Sequence, residues 1–544
     1  MTRSKGMARG FTLVLLFSAL ALSAGGCGNS GPAANEIASS VRSQIQSLTK
    51  AASVRGERMW QGEAARRFYE ARQFKPAWRG DRTTQTVAAI RAIEQDGLTP
   101  SDYHLATLEK LIQEREKATN PALEADIDIL LTDAILGMVD HVRYGRVRPV
   151  SLNPAWNADP REEAPPLEKE AARIASAHSV SDAIAGAKPN HFIYRGLVGA
   201  LAKLREISTK GGWPKVPHGK SIKPGATDPR IPAVRARLAV SGEVGAPSQS
   251  STYDSRLRKS VELFQARHRL EPSGIIDKDT IDAMNVTSTE RAGQVRVNLE
   301  RARWVLGGLG DEFLLVNLPA FKAYLIRGGR NAWEARTQIG EEGWKTPSFS
   351  ATMKTIVFNP DWTVPSTIIA EELVEEVKKD SGYFAKKGLV VLDKDNQEVD
   401  PSSVDWGNAA SEDFPYTLRQ PPGTDNALGR VKFLFPNKYS IYLHDTPSKT
   451  NFEAEKRTFS HGCIRLEKPL ELANLLLAGQ DSWNGGKIDQ VLASAVTENV
   501  ELEHPLPVLI VYWTVSVGAS GEIRYMRDVY DQDQPLFAAL SRGR

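Results

Sequence analysis

The feature that most constrains this chain is a change of hydrophobic period near residue 295. Before it, apolar residues recur at helical spacing. Ile127, Leu130, Leu131, Ile135, Met138 and Val142 fall three or four apart, as one face of a helix requires. After it come short apolar runs broken by turn residues. Phe313–Asn317 and Ala323–Ile326 flank Pro319 and read as a hairpin, and Thr355–Phe358 runs into the turn Asn359-Pro360-Asp361-Trp362. A chain with that break is not one uniform fold, and 544 residues are too many for one core. The expected class is multidomain α+β.

The N-terminus is set apart. Arg3, Lys5 and Arg9 precede the apolar run Phe11–Ala24, which is short for a membrane span but suits the core of an export signal. The run ends in Ala24-Gly25-Gly26-Cys27. Small residues before a cysteine resemble a bacterial lipobox, although Ala24 stands where leucine is usual. Residues 1–27 are therefore expected to be a leader, with Cys27 as the lipidation site. Gly28 after it resembles outer-membrane sorting, so the expected location is the periplasm, anchored to envelope lipid. Residues 28–45 read as a polar tether.

Residues 46–215 read as a helical scaffold domain, in which Gly145 closes the long helix and the histidines are dispersed. Residues 225–290 hold three short helical patterns around Val234, Val261 and Ile281, with Asp277 as an N-cap. From 295 to 540 the reading is mainly β. Trp333–Gly340 and Leu389–Leu392 are expected strands, and Ile368–Lys379 an amphipathic helix. Phe414–Gly423 is an expected loop, and Gly429–Phe435 and Tyr439–His444 expected strands turning at Pro436-Asn437.

Function classes narrow by exclusion. Basic residues are dispersed and the net charge is only +3, so no nucleic-acid partner is expected. No P-loop and no glycine-rich turn after a strand is present, so no nucleotide is expected. Two cysteines make neither a disulfide framework nor, by themselves, a zinc site, and no cofactor or metal is called for.

With Cys27 assigned to the leader, Cys463 is the one thiol left, in Ser460-His461-Gly462-Cys463-Ile464-Arg465. A thiol near pKa 8.5 needs a base or cation beside it to react at neutral pH. His444, on the strand Ile441–His444 with Tyr442 on the same face, is the candidate base; His461 is the other nearby imidazole. Gly462 permits a tight turn that brings backbone amides together near the sulfur, and the N–H groups of Gly462 and Cys463 are the candidate oxyanion hole.

Two resemblances then follow. Val261–His268 with Gly274-Ile275-Ile276-Asp277 and Thr280 resembles the three-helix peptidoglycan-binding module of cell-wall enzymes. Tyr442–Pro447 followed by Arg457–Arg465 resembles the signature of the L,D-transpeptidase family, with its YkuD-type catalytic domain, and Asn426–Gly429 and Asp528–Tyr530 also match. The resemblance implies a scaffold domain, a peptidoglycan-binding module and a mainly-β catalytic domain with a capping insertion at about 365–425. It implies Cys463 as nucleophile and His444 as base, with the Asp445 carbonyl orienting the imidazole. Ser460, His461 and Gly462 would line the site, and Arg465 and Tyr442 would face substrate. The implied substrate is the peptidoglycan stem peptide and the implied product a 3→3 crosslink. Water or a protein lysine as acceptor, and a non-catalytic wall-binding scaffold, stay open as alternatives.

Overall fold

The computed structural model describes residues 32–47 and 53–543, except 155, 158–160, 162–163, 381, 410, 412, 484–485 and 519. The expected leader and Cys27 lie outside the described residues. Among those described, no helix is long and apolar enough to cross a membrane.

The first body is helical and is built around α2, Pro121–Tyr144, after α1, Ala34–Ser47. The Asn120 side chain caps α2 by accepting from Leu123 N at 2.9 Å, and Gly145, at φ +90°, ends it. Almost every residue of α2 is buried, acids included. Asp128 accepts from Trp78 N at 2.6 Å and Tyr69 Oη at 2.7 Å, and Asp133 pairs with His104 at 2.8 Å. His104 is thus held in the interior, as is His141, whose Nδ1 lies 2.8 Å from Tyr103 Oη. The tether expected over 28–45 is corrected in part. Ile37, Val41 and Ile45 sit at helical spacing on α1 and are buried in this core, so Ala34–Ser47 belongs to the body rather than to a linker. The body continues to α3, Phe192–Thr209.

Three short helices follow: α4 Ile231–Ser241, α5 Ser255–Arg267 and α6 Lys278–Asn285. They share one small core of Val234, Leu257, Val261, Phe264 and Ile281. Asp254 and Asp277 cap α5 and α6. Gln265 shows why a glutamine follows the buried Phe264: its amide donates to Ile275 O at 2.8 Å and accepts from Gly274 N at 2.9 Å, pinning the turn into α6.

α7, Ser288–Leu306, is the spine of the molecule. It packs along α3 and reaches both the first body and the β domain. Glu300 accepts from Val147 N at 2.6 Å and pairs with Arg303 at 2.8 Å, while Asn298 donates to Thr514 Oγ1 at 2.8 Å. Glu300 and Arg303 have at most 1% exposure, so these charges are interior contacts.

The β domain holds a nine-stranded sheet. Its strands are β1 Phe313–Asn317, β2 Lys322–Arg327, β3 Arg330–Gly340, β4 Phe349–Phe358, β5 Val431–Leu434, β6 Leu443–His444, β7 Thr458–Ser460, β8 Ile464–Leu466 and β9 Glu498–Val511. Their order is β7-β3-β8-β6-β5-β4-β9-β1-β2, and β3 also pairs with β2, so the sheet closes on itself. The 313–326 hairpin forms as expected. Tyr439–Ile441 stays outside any strand: Asn437 Oδ1 accepts from the amides of Tyr439 and Ile441, holding a turn where a strand was expected.

Between β4 and β5 the chain leaves the sheet to build a four-stranded cap, order Trp362–Thr363, Thr417–Gln420, Val390–Leu392, Glu398–Val399. Its core is Ile368, Ile369, Leu373, Phe384, Val391 and Leu418. The loop expected at Phe414–Gly423 is corrected: Thr417–Gln420 is a strand of this cap, pairing on both sides. Its alternation, with Leu418 buried and Thr417 exposed, is too short to show in sequence.

Candidate active site

β6 and β8 run parallel, with Leu443 opposite Ile464 and His444 opposite Arg465. Leu443 and Ile464 are fully buried. Each such side chain contributes about 2 kcal/mol to holding that register. Because side chains alternate, burying these two puts Tyr442, His444, Cys463 and Arg465 together on the other face. On the far side of β6, Lys432 of β5 pairs with His444 and joins the same face.

This face is the floor of a cleft of about 1110 Å³. The cap supplies the opposite wall through Glu372, Leu373, Tyr383, Lys387 and Leu389. His461 reaches across and pairs with Glu372 of the cap, its ring 5.3 Å from that of Trp344. His461 therefore ties the motif to the cap.

The local backbone is fixed by a chain of hydrogen bonds. Gly462 has φ +104°, which favours glycine. Its carbonyl accepts from Thr346 Oγ1 at 2.7 Å, and Thr346 Oγ1 in turn accepts from Gly340 N at 2.9 Å. Tyr530 Oη donates to Gly340 O at 2.5 Å, so the C-terminal Asp528–Tyr530 segment braces the turn. Ser460 Oγ donates to Cys463 O at 2.5 Å and accepts from Gly462 N at 3.3 Å. The Gly462 amide is thus occupied. The Cys463 amide has no hydrogen bond among the described residues.

His444 is buried, and its Nδ1 lies 2.5 Å from the Asp445 carbonyl. A carbonyl only accepts, so Nδ1 carries the proton and Nε2 keeps its lone pair. The Asp445 carboxylate serves a different purpose. It accepts from Arg430 N at 2.9 Å and pairs with Lys449, and it fills the space beside Gly429, where a Cβ would come within 2.4 Å of it. Desolvation, and then Arg465, push the His444 imidazole down to about 3, with Lys432 adding to the fall. Desolvation raises the Cys463 thiol, opposed by hydrogen bonds from the Tyr442 backbone and hydroxyl and by the charges of Lys432 and Arg465. The resting pair is a neutral imidazole and a thiol.

Cys463 Sγ lies 3.7 Å from Ser440 O, and no hydrogen bond joins it to His444 among the described residues. Arg465 donates to Gln338 Oε1 at 3.3 Å, while its buried Nε has no partner. Its sequence neighbour Glu467 pairs instead with Arg336, at 2.6 Å. Lys432 lies 4.1 Å over the Tyr442 ring.

The sequence reading missed Lys432, Glu372 and Thr346. Lys432 had a signal, since it alternates with the buried Val431 and Phe433 on a strand before the His444 strand. Glu372 and Thr346 had none, because their partners lie 89 and 116 residues away.

Residues 311–491 match the YkuD family, L,D-transpeptidase catalytic domain; residues 227–284 match a "Putative peptidoglycan binding domain"; and residues 63–201 match a scaffold domain. A curated relative, "Putative L,D-transpeptidase" of Haemophilus influenzae, is 34% identical over 223 residues, 41% of this chain and 45% of that protein. The chain thus spans less than half the length of that relative. Among solved structures, the L,D-transpeptidase (residues 123-326) of Xylanimonas cellulosilytica is 13% identical, over 54% of this chain and 99% of that one, with a TM-score of 0.17. The L,D-transpeptidase (Yku) of Stackebrandtia nassauensis is 12% identical, over 55% and 96%, with a TM-score of 0.19.

Proposed function

Because this chain carries an L,D-transpeptidase catalytic domain together with a scaffold domain and a peptidoglycan-binding domain, we propose that it forms 3→3 crosslinks between peptidoglycan stem peptides through a thioester on Cys463. The observation that carries this reading is the β6–β8 register, which sets Cys463, His444, Tyr442 and Arg465 on one face at the floor of a capped cleft.

The donor is a tetrapeptide stem. Cys463 sulfur attacks the carbonyl of its third residue, and His444 Nε2 takes the thiol proton as the S–C bond forms. The Cys463 amide stabilises the oxyanion. The C–N bond to the terminal D-alanine then breaks, and His444 returns its proton to the leaving amine. A side-chain amine of a second stem attacks the thioester and gives its proton to His444. The thioester C–S bond breaks as the new amide, the crosslink, forms, and His444 passes the proton to the departing sulfur. Lys345, Lys387, Lys432 and Arg465 outnumber Asp361, Glu372 and Asp425 in the cleft, which suits a stem bearing free carboxylates.

Those carboxylates also supply a switch. Placed over Arg465 and Lys432, they neutralise the charges that help hold the His444 imidazole low. The base then strengthens when the donor is seated. The cap keeps water from the thioester, whose hydrolysis would make the enzyme a carboxypeptidase.

The test is incubation of the full chain with tetrapeptide muropeptides and mass spectrometry, beside Cys463→Ala. A 3→3 dimer lost in the variant is expected. A tripeptide monomer alone makes water the acceptor, and product unchanged in Cys463→Ala refutes the cysteine mechanism. We further propose a periplasmic location with lipid on Cys27, which the mass of the mature N-terminus tests.

A further inference from the structure

A second cavity, of about 420 Å³, opens where α3, the three-helix module and the β domain meet. Charge in it does not cancel. Glu243 is held by Arg267 at 3.0 Å and Glu522 by Arg524 at 2.8 Å. Lys203, Arg237 and Arg291 also line the cavity and make no ion pair among the described residues.

Two of these cations are buried, Arg237 with 1% exposure and Arg291 with 8%. Arg237 spends its Nε and Nη1 on Met284 O and Ser241 Oγ, both neutral and both at 2.7 Å, and its guanidinium lies 3.8 Å over the Trp213 ring. Arg291 donates from Nη1 to Gln294 Oε1 at 2.8 Å and lies 4.4 Å over the Tyr525 ring, while its buried Nε has no partner. Desolvation lowers both guanidinium groups to about 10. Glu243 and Glu290 act on Arg237 and Arg291 only from a distance, without a contact ion pair, and an anion seated beside either guanidinium offsets the cost of burying it. Nearby His268, stacked 3.8 Å from Phe264, is held well below its ordinary range by desolvation and then by Arg291, so it adds no charge. Gly199 leaves the mouth open, since nothing lies within 4 Å of where its Cβ would stand.

We propose that this cavity binds a carboxylate of a peptidoglycan stem peptide, held by Arg237, Arg291 and Lys203 against the Trp213 and Tyr525 rings. Guanidinium groups meet carboxylates in a planar, two-pronged fit. The space suits one or two peptide residues rather than a bare ion. Arg237, Glu243, Arg267 and His268 all fall within the stretch that matches the peptidoglycan-binding family. The assignment rests on the proposed function, because the stem is the ligand in both. Its particular consequence is that wall binding occurs at a junction, with the scaffold helix and the β domain each supplying part of the site.

The experiment is calorimetric titration of the full Cys463→Ala chain with a disaccharide tetrapeptide, beside Cys463→Ala/Arg291→Gln and Cys463→Ala/Lys203→Glu. Lys203 is exposed, so its replacement tests charge without disturbing the interior. The expected result is a class of binding weakened about tenfold or more in each double variant, and likewise when the stem carboxylates are amidated. Circular dichroism checks each variant; should Arg291→Gln unfold the chain, the Lys203→Glu titration decides. Undiminished binding in folded Lys203→Glu overturns the site. Binding of inorganic phosphate at these residues, with none of the muropeptide, overturns the stem as ligand. Failure of the catalytic reading would show separately, as absence of a dimer from the chain with Cys463 intact.

Discussion

Replacing Arg465 with methionine keeps the aliphatic bulk and deletes one cation from the site face. Cys463 and Arg465 are two apart on one face at the start of β8. At about 3.3 Å per residue they stand roughly 6.6 Å apart. At that distance a unit charge acts with about 2.5 kcal/mol at an effective dielectric of 20. Both groups are partly exposed at the cleft, and solvent screening lowers the effect, to about 1.3 kcal/mol or one pK unit. The sign follows from which form the cation favours. Arg465 stabilises thiolate over thiol and neutral imidazole over imidazolium, so its removal raises both groups. Iodoacetamide reads the thiolate without engaging any substrate carboxylate. At pH 8, below the raised thiol, Arg465→Met should alkylate about tenfold more slowly, with the midpoint of the pH profile about one unit higher. Histidine ring NMR should show the His444 titration shifted upward relative to the wild type, since Arg465 lowers it. Faster or unchanged alkylation would refute the argument that this arginine sets the electrostatics of the pair.

Three further perturbations test the frame. Gly429→Ala puts a Cβ within 2.4 Å of the Asp445 carboxyl at a φ of +62°, so the melting temperature should fall by several degrees and activity with it. Tyr530→Phe removes the hydroxyl that donates to Gly340 O at 2.5 Å and should cost about 1–2 kcal/mol in denaturant unfolding. Glu372→Ala frees His461 from the cap and should raise the alkylation rate of Cys463 a few-fold, with little change in melting temperature because this contact is largely at the surface.

How far the sequence foretold this molecule depended on how local each cause was. The hairpin at 313–326 and the cap at Asp277 were legible, because each partner lies within a few residues or on the next strand. The chemistry-bearing face was half legible. Alternation placed Tyr442 with His444, but the parallel register that adds Cys463 and Arg465 depends on Leu443 meeting Ile464 in the core. α7 was not legible at all. Glu300, Arg301 and Arg303 have the composition of a solvated helix, yet all three are buried, because their partners come from the first body and the C-terminal helix. The error at α1 was of another kind. Its apolar residues are spaced correctly for a helix, but small and polar neighbours thinned the signal to that of a linker.

α7 is joined by its buried polar and charged side chains to the bodies on either side. A wall-binding module on a string would let the catalytic cleft sample stems at many distances, with an effective concentration set by string length. Here the module runs into a helix pinned by Glu300, Arg303 and Asn298, so it works as a ruler. Under the proposed function, the spacing between the strand bound at the module and the strand joined in the cleft would then be set by the protein and not by chance encounter.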